Sequence, residues 1–385
     1  MGEARVGIIG ASGAVGRIVA RELHALGRAT LRLGGRAMPA LYEIAAELGR
    51  GVEVMTVDVR DERALAVYCQ GCQLIVNCAG PSFLILDRVA RGALAAGADY
   101  LDLGGDEPVR DRLVDLDPGP RVVLLTAGMM PGLSAILVRW LAERFDAPQD
   151  LLAYVGGRDR MSPASAVDYV LSLRQSSDSA LASWSGHRKV ARGLAPLSDV
   201  VLAHFPPCVT AYPYLSGEAE RLGRSLGLAE IRWYNVFEGE HMLRALRRLQ
   251  GAALNQADVE DAAADLAKAA ELDLFGFAEH QIFLLRMKGA IGGRIAERMV
   301  KLVATNARTL TAHVAALASL AVLEGKVAPG IHFAGEVLST DIVERLRQGN
   351  AIAALVSGEL EGEPEAGHEG AGATDAAEAL EEGEL

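Results

Sequence analysis

A glycine-rich turn near the N-terminus carries the clearest chemical signal in the sequence. Residues 10–16 (GASGAVG) follow an apolar run at 5–9 and precede a helical pattern that continues to Leu26. Gly10 can turn the chain sharply, Gly13 can let the backbone approach a pyrophosphate, and Gly16 can let helix and sheet pack closely. The N–H groups at the start of such a helix attract phosphate, so this position predicts a dinucleotide-binding turn. The cofactor-binding residues expected here are Gly10, Ser12, Gly13, Ala14 and Val15.

The residues after the second and third predicted strands bear on the choice of cofactor. The second strand ends in Leu33-Gly34-Gly35-Arg36, with no acidic side chain to accept from a ribose 2′-OH as in NAD-binding domains. Arg36 can instead pair with a 2′-phosphate, which favours NADP, although a solvated loop charge remains an alternative. Asp58 ends the third strand and can accept from the adenine amino group, or it can cap a helix or face solvent.

Two further turns end parallel strands and should face the ligand crevice. The fourth strand ends in Asn77-Cys78-Ala79-Gly80-Pro81, and the sixth is followed by residues 127–134 (AGMMPGLS). Ligands of open α/β sheets bind at the carboxyl ends of the strands, so both turns are expected to line the nicotinamide and the substrate entrance. The cofactor-binding residues predicted there are Asn77, Ala79, Gly80, Gly128 and Met129.

The elements that position these turns alternate between strand and helix over residues 1–145. This pattern predicts an α/β fold, a Rossmann doubly wound parallel sheet covered by helices on both faces. Residues 146–330 form a looser α+β pattern, expected to be a second catalytic or dimerisation domain whose residues 241–325 are mostly helical. Residues 331–358 offer a strand and a helix that can return to the Rossmann domain. The acidic tail at 359–385 is expected to be disordered.

Proton transfer requires a side chain from the second domain, where a substrate would meet the nicotinamide. Polar groups cluster at Asp168-Tyr169, at residues 204–214 and at residues 234–241. Each cluster could hold an acid near a reducible bond, and each could equally be ordinary core or surface polarity. The candidate catalytic residues are Tyr212, His204, His241 and Glu238.

Composition narrows the class of protein. The formal net charge is −12, but ten carboxylates and no Lys or Arg lie between Glu359 and Leu385, so the remaining chain carries −2. That balance gives no basic stripe for nucleic acid. No apolar stretch is long enough to span a membrane, and four cysteines are too few for a disulfide scaffold, so a cytoplasmic protein is expected. Cys69 and Cys72 form a CxxC spacing without partners at metal-binding distance along the chain, and no metal site is predicted.

These features together resemble the saccharopine dehydrogenase-like NADP-binding family. The resemblance rests on residues 7–21 (GIIGASGAVGRIVAR), 75–81 (IVNCAGP), 96–102 (AGADYLD) and 128–134 (GMMPGLS). Residues 332–338 (HFAGEVL) look like the returning C-terminal segment of the family. The resemblance implies a Rossmann domain, an inserted α+β domain with a mixed sheet that often mediates homodimers, and NADP chemistry at a C–N bond.

Within that family, the middle of the chain is similar to the thiazolinyl imine reductases of siderophore biosynthesis, of the enantio-pyochelin type. The similar stretches are residues 194–197 (LAPL), 209–216 (VTAYPYLS) and 232–241 (RWYNVFEGEH). This similarity implies reduction of the C=N bond of a thiazoline ring, in a small-molecule substrate that a carrier protein of a nonribosomal peptide synthetase can present. The acidic tail has no counterpart in the pattern of the family.

Two other functions remain open at this stage. One is a saccharopine-type dehydrogenase of an amino-acid-derived secondary amine, whose carboxylates would call for clustered arginines. Arg158, Arg160, Arg174 and Arg188 are present but scattered, which favours the imine reductase. The other is a sensor or scaffold that binds NADP(H) without turnover.

Overall fold

The N-terminal half of the chain builds a parallel sheet. The computed structural model describes residues 4–175, 178–249, 255–349 and 351–360. The strands of this first part are β1 (Ala4–Ile9), β2 (Ala29–Gly35), β3 (Val52–Thr56), β4 (Leu74–Asn77), β5 (Asp99–Asp102) and β6 (Val122–Leu125). The helices are α1 (Gly16–Leu26), α2 (Met38–Leu48), α3 (Glu62–Cys69), α4 (Ser82–Ile85), α5 (Arg88–Ala95), α6 (Glu107–Leu113) and α7 (Leu133–Ala142).

The strand order of this sheet is that of a Rossmann fold. Over the described residues it contains seven strands in the order β15-β6-β5-β4-β1-β2-β3, where β15 (Gly330–Phe333) comes from the far end of the chain. Each neighbouring pair is parallel. One apolar cluster packs α1 and α2 against one face, and a second packs α3, α5 and α6 against the other. The predicted doubly wound α/β fold is therefore confirmed.

Local signals explain why these elements start where they do. All four residues of β4 are buried, as expected for a central strand covered on both faces. The α3 helix starts after Asp61, whose Oδ1 accepts hydrogen bonds from the N–H groups of Arg63 and Ala64 at 3.0 and 3.1 Å. A carboxylate at this position satisfies N–H groups that have no partner inside the helix.

The middle of the chain forms a second, mixed sheet. Its strands are β7 (Ala147–Arg158), β8 (Ser183–Ser185), β9 (Arg188–Val190), β10 (Leu197–Val200), β11 (Val209–Pro213), β12 (Glu230–Phe237), β13 (His280–Ile291) and β14 (Arg294–Ala304). Its helices are α8 (Pro163–Gln175), α9 (Gly217–Ser225), α10 (Glu240–Leu249) and α11 (Gln256–Leu274). The main path runs β10-β11-β12-β7-β13-β14-β16, where β16 (Ile352–Leu360) comes from the end of the described chain. In this path β12 and β7 are parallel and the other neighbours antiparallel.

The region at 241–325, predicted to be mostly helical, contains helices but also the β13–β14 hairpin, which was not predicted from the sequence. Its two strands pair from Gln281 with Ala304 up to Ile291 with Arg294, which leaves Gly292 and Gly293 as a two-residue turn. Both glycines have positive φ, 56° and 77°, the conformation that a tight hairpin of this kind requires. The alanine-rich stretches on either side are helical, but this Gly-Gly signal marks the hairpin between them.

After the hairpin the chain returns to the first sheet and then leaves it again. The returning elements are α12 (Ala307–Leu323), β15 (Gly330–Phe333), α13 (Ala334–Val337), α14 (Ile342–Arg347) and β16 (Ile352–Leu360). The α12 helix packs on α1, and β15 pairs with β6. The last strand, β16, pairs with β14 in the second sheet instead of staying with the Rossmann domain.

The structure thus moves two of the boundaries expected from the sequence. The return begins at α12 rather than at residue 331, because the buried face of this alanine-rich helix fits against α1 and the central strands. Residues 352–358 belong to the second domain, where they supply an edge strand. Of the predicted acidic tail, Glu359 and Leu360 end β16, and residues 361–385 lie outside the described residues.

The described residues contain neither a candidate membrane-spanning helix nor a candidate metal site. No described helix is long and apolar enough to cross a membrane. No group of three or more His, Cys, Asp or Glu side chains in the described ranges is arranged to hold a metal ion.

Candidate functional site

A cleft of about 1040 Å³ lies between the carboxyl edge of the Rossmann sheet and the second domain. One wall consists of the turns that follow β1, β2, β3, β4, β5 and β6. The other consists of the end of β7, the start of α8, the end of β12 and the start of α12. The predicted cofactor-binding residues that line it are Gly10, Ser12, Gly13, Ala14, Val15, Arg36, Asp58, Asn77, Ala79, Gly80, Gly128 and Met129.

The glycine turn after β1 is shaped by close backbone contacts. Gly10 has φ 79°, and a Cβ atom on it would lie 2.7 Å from the backbone nitrogen of Ala79. A Cβ atom on Gly16 would collide with the carbonyl oxygen of Gly10. Gly16 is therefore required for the turn itself, in addition to any packing of helix on sheet. The Gly13 N–H donates to the Gly10 carbonyl at 2.9 Å, which completes a tight loop in front of α1.

This turn offers backbone donors to an anionic group. Gly13 and Ala14 are exposed to the cleft, and Ser12 and Val15 are half-buried at its wall. No side chain caps α1 among the described residues. The N–H groups of Arg17 and Ile18 donate to backbone carbonyls of the turn, which leaves the N–H groups at residues 14–16 for a ligand. Because helix N-termini carry partial positive charge, the fit is to a pyrophosphate.

Arg36 lies at the ribose end of the cleft, and its charge is not neutralised by any described side chain. It is exposed immediately after β2, and no hydrogen bond or ion pair joins its guanidinium to a described residue. The contrast with Arg32 on the same strand is informative. Arg32 is 5% exposed, pairs with Glu53 at 3.1 Å and donates to the carbonyls of Tyr68 and Gln70, so it is structural.

Asp58 uses its carboxylate on its own loop. Its Oδ1 accepts from the N–H of Arg60 at 2.9 Å, a local turn that fixes the connection between β3 and α3. The side chain still lines the cleft, so its other oxygen can face a ligand.

Asn77 belongs to a buried polar network beneath the cleft. Its amide nitrogen donates to the Tyr100 hydroxyl and to Asp102 Oδ2, each at 3.2 Å, while its Oδ1 accepts from the N–H of Ala79. The Tyr100 hydroxyl also donates to Asp102 Oδ2 at 2.5 Å, and Asp102 Oδ1 accepts from Gly104 N. Burial raises the pKa of the Asp102 carboxyl. The network holds the turns after β4 and β5 in place.

The second domain contacts the turn after β4 through Asp168 on α8. Its two carboxylate oxygens accept from the N–H groups of Ser82 and Phe83, at 2.9 and 3.0 Å, and thereby cap α4. A Cβ atom on Gly80 would come within 3.1 Å of the Ala164 Cβ, so helix and turn are in close contact. Burial raises the pKa of Asp168. The neighbouring Tyr169 also lines the cleft, and burial raises the pKa of its hydroxyl, which therefore stays protonated at neutral pH.

A second carboxylate from the second domain supports the turn after β6. Glu218 on α9 is 5% exposed, and its Oε1 accepts from the N–H of Gly132 at 2.6 Å. Its Oε2 accepts from the hydroxyl of Ser134. Burial raises the pKa of this carboxyl to about 7. On the other side of the turn, the N–H of Met129 donates to the Thr311 hydroxyl at 3.3 Å.

Glu238 is the one predicted catalytic residue that lines the cleft, and its carboxylate has an arginine and a histidine as neighbours. Its side chain is fully buried, with Oε2 3.2 Å from Arg158 Nε and Oε1 2.8 Å from His280 Nε2. Its partnership with Glu238 raises the pKa of His280. Arg158 also stacks on the ring of Phe277. A carboxylate held in this way positions β7, β12 and β13 relative to one another.

The structure does not bring the other three catalytic candidates into the cleft. His204 lies in the loop before β11, with Nδ1 3.2 Å from Lys301 Nζ on β14. Tyr212 is on β11, which lies one strand farther from β7 than β12 does. His241 starts α10, where its backbone N–H donates to Asp273, and its side chain does not line the cleft. Closeness in sequence to Asn235 and Glu238 does not show the order in which the strands lie in the sheet.

Several cleft residues were missed or left unassigned at the level of sequence. Asp168 and Tyr169 were visible as a polar pair, but only the docking of α8 on the turn after β4 shows why that pair matters. The polar residues that line the second-domain side of the cleft include Ser162, Tyr169, Asn235, Gln281 and Thr311. They come from four separate elements and one loop, so no local pattern could have gathered them.

Comparison with known proteins identifies the first domain. Residues 6–116 match the family model described as the saccharopine dehydrogenase NADP-binding domain. A probable mitochondrial saccharopine dehydrogenase-like oxidoreductase of Arabidopsis thaliana is 30% identical over 119 residues, which cover 28% of this chain and 26% of that protein. The match thus spans about a quarter of the length of the curated relative.

A solved structure matches nearly the whole fold. The apo histidine-tagged saccharopine dehydrogenase (L-Glu forming) from Saccharomyces cerevisiae covers 93% of this chain and 100% of its own, with a TM-score of 0.66 and 14% sequence identity. At 14% identity the match establishes the fold and nothing about the substrate. The first domain is therefore an NADP-binding domain of the saccharopine dehydrogenase type, and NADP is its cofactor. The predicted choice of NADP is confirmed, and the narrower thiazolinyl imine reductase resemblance stays a prediction.

Proposed function

We propose that this protein is an NADPH-dependent oxidoreductase that reduces a C=N bond in a cleft between its two domains. The observation that carries the proposal is the position of Tyr169, a protonated phenol on the same cleft as the turns after β4 and β6. Those turns end strands at the carboxyl edge of the sheet, where α/β proteins of this type bind the reactive end of the cofactor. When bound, NADPH supplies a hydride.

Reduction of an imine also needs a proton at the substrate nitrogen. That nitrogen gains electron density as the carbon is reduced, so a hydrogen-bond donor beside it stabilises the transition state. Tyr169 is protonated at neutral pH, and burial and the nearby Tyr214 raise its pKa further, so it acts as a neutral hydrogen-bond donor to the nitrogen. Asp168 precedes it on α8 and, through Ser82 and Phe83, fixes α8 against the turn after β4. The pair therefore couples the position of the donor to that turn.

The charges on the substrate side of the cleft favour an uncharged substrate. Arg158 is paired with Glu238, and Arg308 is paired with Asp159 at 3.1 Å and with Glu279 at 2.7 Å. A substrate with several carboxylates would have to displace these internal partners. Breaking a partly buried ion pair leaves an uncompensated charge, which costs several kcal/mol. An imine with few charges has no such cost.

Within this class, the thiazoline ring of a carrier-bound siderophore intermediate is the substrate we propose first. The chain resembles the thiazolinyl imine reductases in the stretches of the second domain quoted above. Two apolar side chains on the cleft wall, Leu84 and Met130, are 42% and 43% exposed, and they can contact an apolar ring or tethering arm.

The resemblance also supports a homodimer, which light scattering on the purified protein would test.

A saccharopine-type dehydrogenase is the second candidate. It is favoured by the names of the Arabidopsis relative and of the yeast structure with the same fold. Its substrate would need free cations in the cleft. Arg88 and Arg160 are the exposed candidates, with Arg160 only 3.6 Å from Glu279 and 70% exposed at its side chain.

The deciding experiment compares both substrate classes on one protein. Consumption of NADPH is followed by absorbance with a thiazoline thioester, and separately with an amino acid plus an oxo acid. The proposal expects turnover with the thiazoline and little with the second pair. The opposite preference would favour the dehydrogenase, and binding of NADPH without turnover of either would support a sensor or scaffold.

A further inference from the structure

The adenosine end of the cleft is formed by the ends of two adjacent strands and the glycine turn. Gly35 at the end of β2 pairs with Thr56 at the end of β3, and the N–H of Val57 donates to the Gly35 carbonyl at 3.1 Å. The Ser12 hydroxyl lies 3.5 Å from the position of a Cβ atom on Gly35. The residues that follow the two strands therefore flank one corner of the cleft, beside Ser12.

Two arginines reach this corner, one from each strand. Arg36 directly follows β2, and Arg60 lies in the loop between β3 and α3. Both are exposed and both line the cleft. In the described part of the chain, neither guanidinium has a hydrogen bond, an ion pair or an aromatic partner. Within the described ranges, Arg60 takes part in hydrogen bonding through its backbone N–H, which donates to Asp58.

Two carboxylates close to Arg60 in sequence, Asp58 and Asp61, bind backbone groups, and a third, Glu62, is exposed on α3 and does not line the cleft. Asp58 accepts the N–H of Arg60 itself, and Asp61 accepts two N–H groups at the start of α3. They hold the loop in a shape that presents the Arg60 side chain to the cleft. Arg32, the other arginine of β2, is buried and fully paired, so it adds no free charge at this corner.

No described carboxylate pairs with either guanidinium, so both are available to an anionic group. Arginine binds phosphate through charge-assisted hydrogen bonds, often in pairs. The pyrophosphate of the cofactor belongs at the other end of the glycine turn, at the start of α1. We propose that Arg60, together with Arg36 and the Ser12 hydroxyl, binds the 2′-phosphate of NADP and is a specificity-determining residue for NADP over NAD.

Binding of the reduced coenzymes tests this without any substrate. Dissociation constants for NADPH and NADH are measured by fluorescence on the wild type and on Arg60→Ala, Arg36→Ala and the double variant. Arg63→Ala is the matched control, because Arg63 is an exposed arginine on the first turn of α3 that does not line the cleft. Titration with 2′,5′-ADP and 5′-AMP isolates the phosphate from the nicotinamide.

The expected result is selective. Arg60→Ala should weaken NADPH and 2′,5′-ADP about tenfold, the equivalent of 1.4 kcal/mol. It should leave NADH and 5′-AMP within about twofold of wild type, the size of effect that a surface substitution produces. The double variant should bind NADPH and NADH almost equally, and Arg63→Ala should match wild type. Equal weakening of both coenzymes by Arg60→Ala, or no weakening of either, would overturn the proposal. Because no turnover is measured, the outcome is independent of the substrate.

Discussion

The proposed role of Tyr169 depends on one atom, its hydroxyl oxygen, so a single substitution can test that role by itself. Tyr169→Phe removes the hydroxyl and keeps the ring that packs α8. We expect kcat to fall at least about a hundredfold, the usual contribution of a positioned proton donor. The Kd for NADPH should be unchanged, because the residue belongs to the second domain. Steady-state kinetics and coenzyme titration measure the two effects separately.

The matched control is Tyr42→Phe, an exposed tyrosine on α2 that does not line the cleft. It should retain wild-type kcat and Kd. A Tyr169→Phe enzyme with normal kcat would remove Tyr169 from the mechanism.

Glu218 gives the protein a pH dependence whose sign follows from its burial. Its pKa rises from 4.5 to about 7 in the folded state, so between those pH values the folded protein holds a proton that the unfolded chain has lost. Stability from this group is therefore present below about pH 4.5 and is lost as pH rises through 7. At 1.36 kcal/mol per pKa unit, the loss is about 3 kcal/mol.

Glu218→Gln removes this titration while keeping an oxygen that can accept from Gly132. Chemical denaturation at pH 5 and pH 8 should show that the variant loses less stability than wild type over that interval. The control is Glu271→Gln, an exposed carboxylate on α11, which should lose as much as wild type. Parallel pH profiles for wild type and Glu218→Gln would mean that the carboxyl titrates normally.

At the scale of elements, a comparison of two glycines distinguishes the cost of backbone strain from the cost of a steric collision. Gly27, after α1, has φ 61° and open space around its Cβ position, whereas Gly10 has φ 79° and would contact Ala79. Gly27→Ala should cost about 1–2 kcal/mol from left-handed strain alone. Gly10→Ala should cost more and should also abolish NADPH binding, because the turn must move. Thermal unfolding with and without NADPH measures both terms, and equal costs at the two positions would contradict the close contact with Ala79.

The elements of the first domain could be predicted because their signals are local. A turn glycine, an N-capping aspartate such as Asp61 before α3, or a buried apolar run is readable within about ten residues. The β13–β14 hairpin was also marked locally by Gly292-Gly293, but the alanine-rich stretches on both sides obscured the signal.

The second-domain side of the site depends on information that no short stretch contains. Whether Tyr212 or Asn235 faces the cleft depends on the order of β11 and β12 in the sheet, although the two residues pair directly. The role of Asp168 depends on α8 meeting α4, which is far away in the sequence. Residue types could be predicted there, but their neighbours could not.

At the scale of the whole molecule, β16 should be needed to protect the second sheet. It covers β14 along eight paired positions from Ala304–Ile352 to Glu297–Leu360. A chain ending at Gly349 would expose the edge of β14, and exposed edges recruit strands from other molecules. We expect this chain to unfold at lower temperature and to form oligomers in size-exclusion chromatography, relative to a chain ending at Leu360. Identical behaviour of the two would show that β16 contributes little.

The interleaving of the two domains also has a consequence for the order of events during synthesis. Strand β6 acquires its outer neighbour β15 only after strands β7 to β14 of the second domain have been made, since Val122 pairs with Gly330. The face of the first sheet on which α12 packs also stays uncovered until α12 has been made. A nascent chain that has produced the complete NADP-binding turn therefore still exposes apolar surface until α12 and β15 have emerged, and such surface is prone to aggregate.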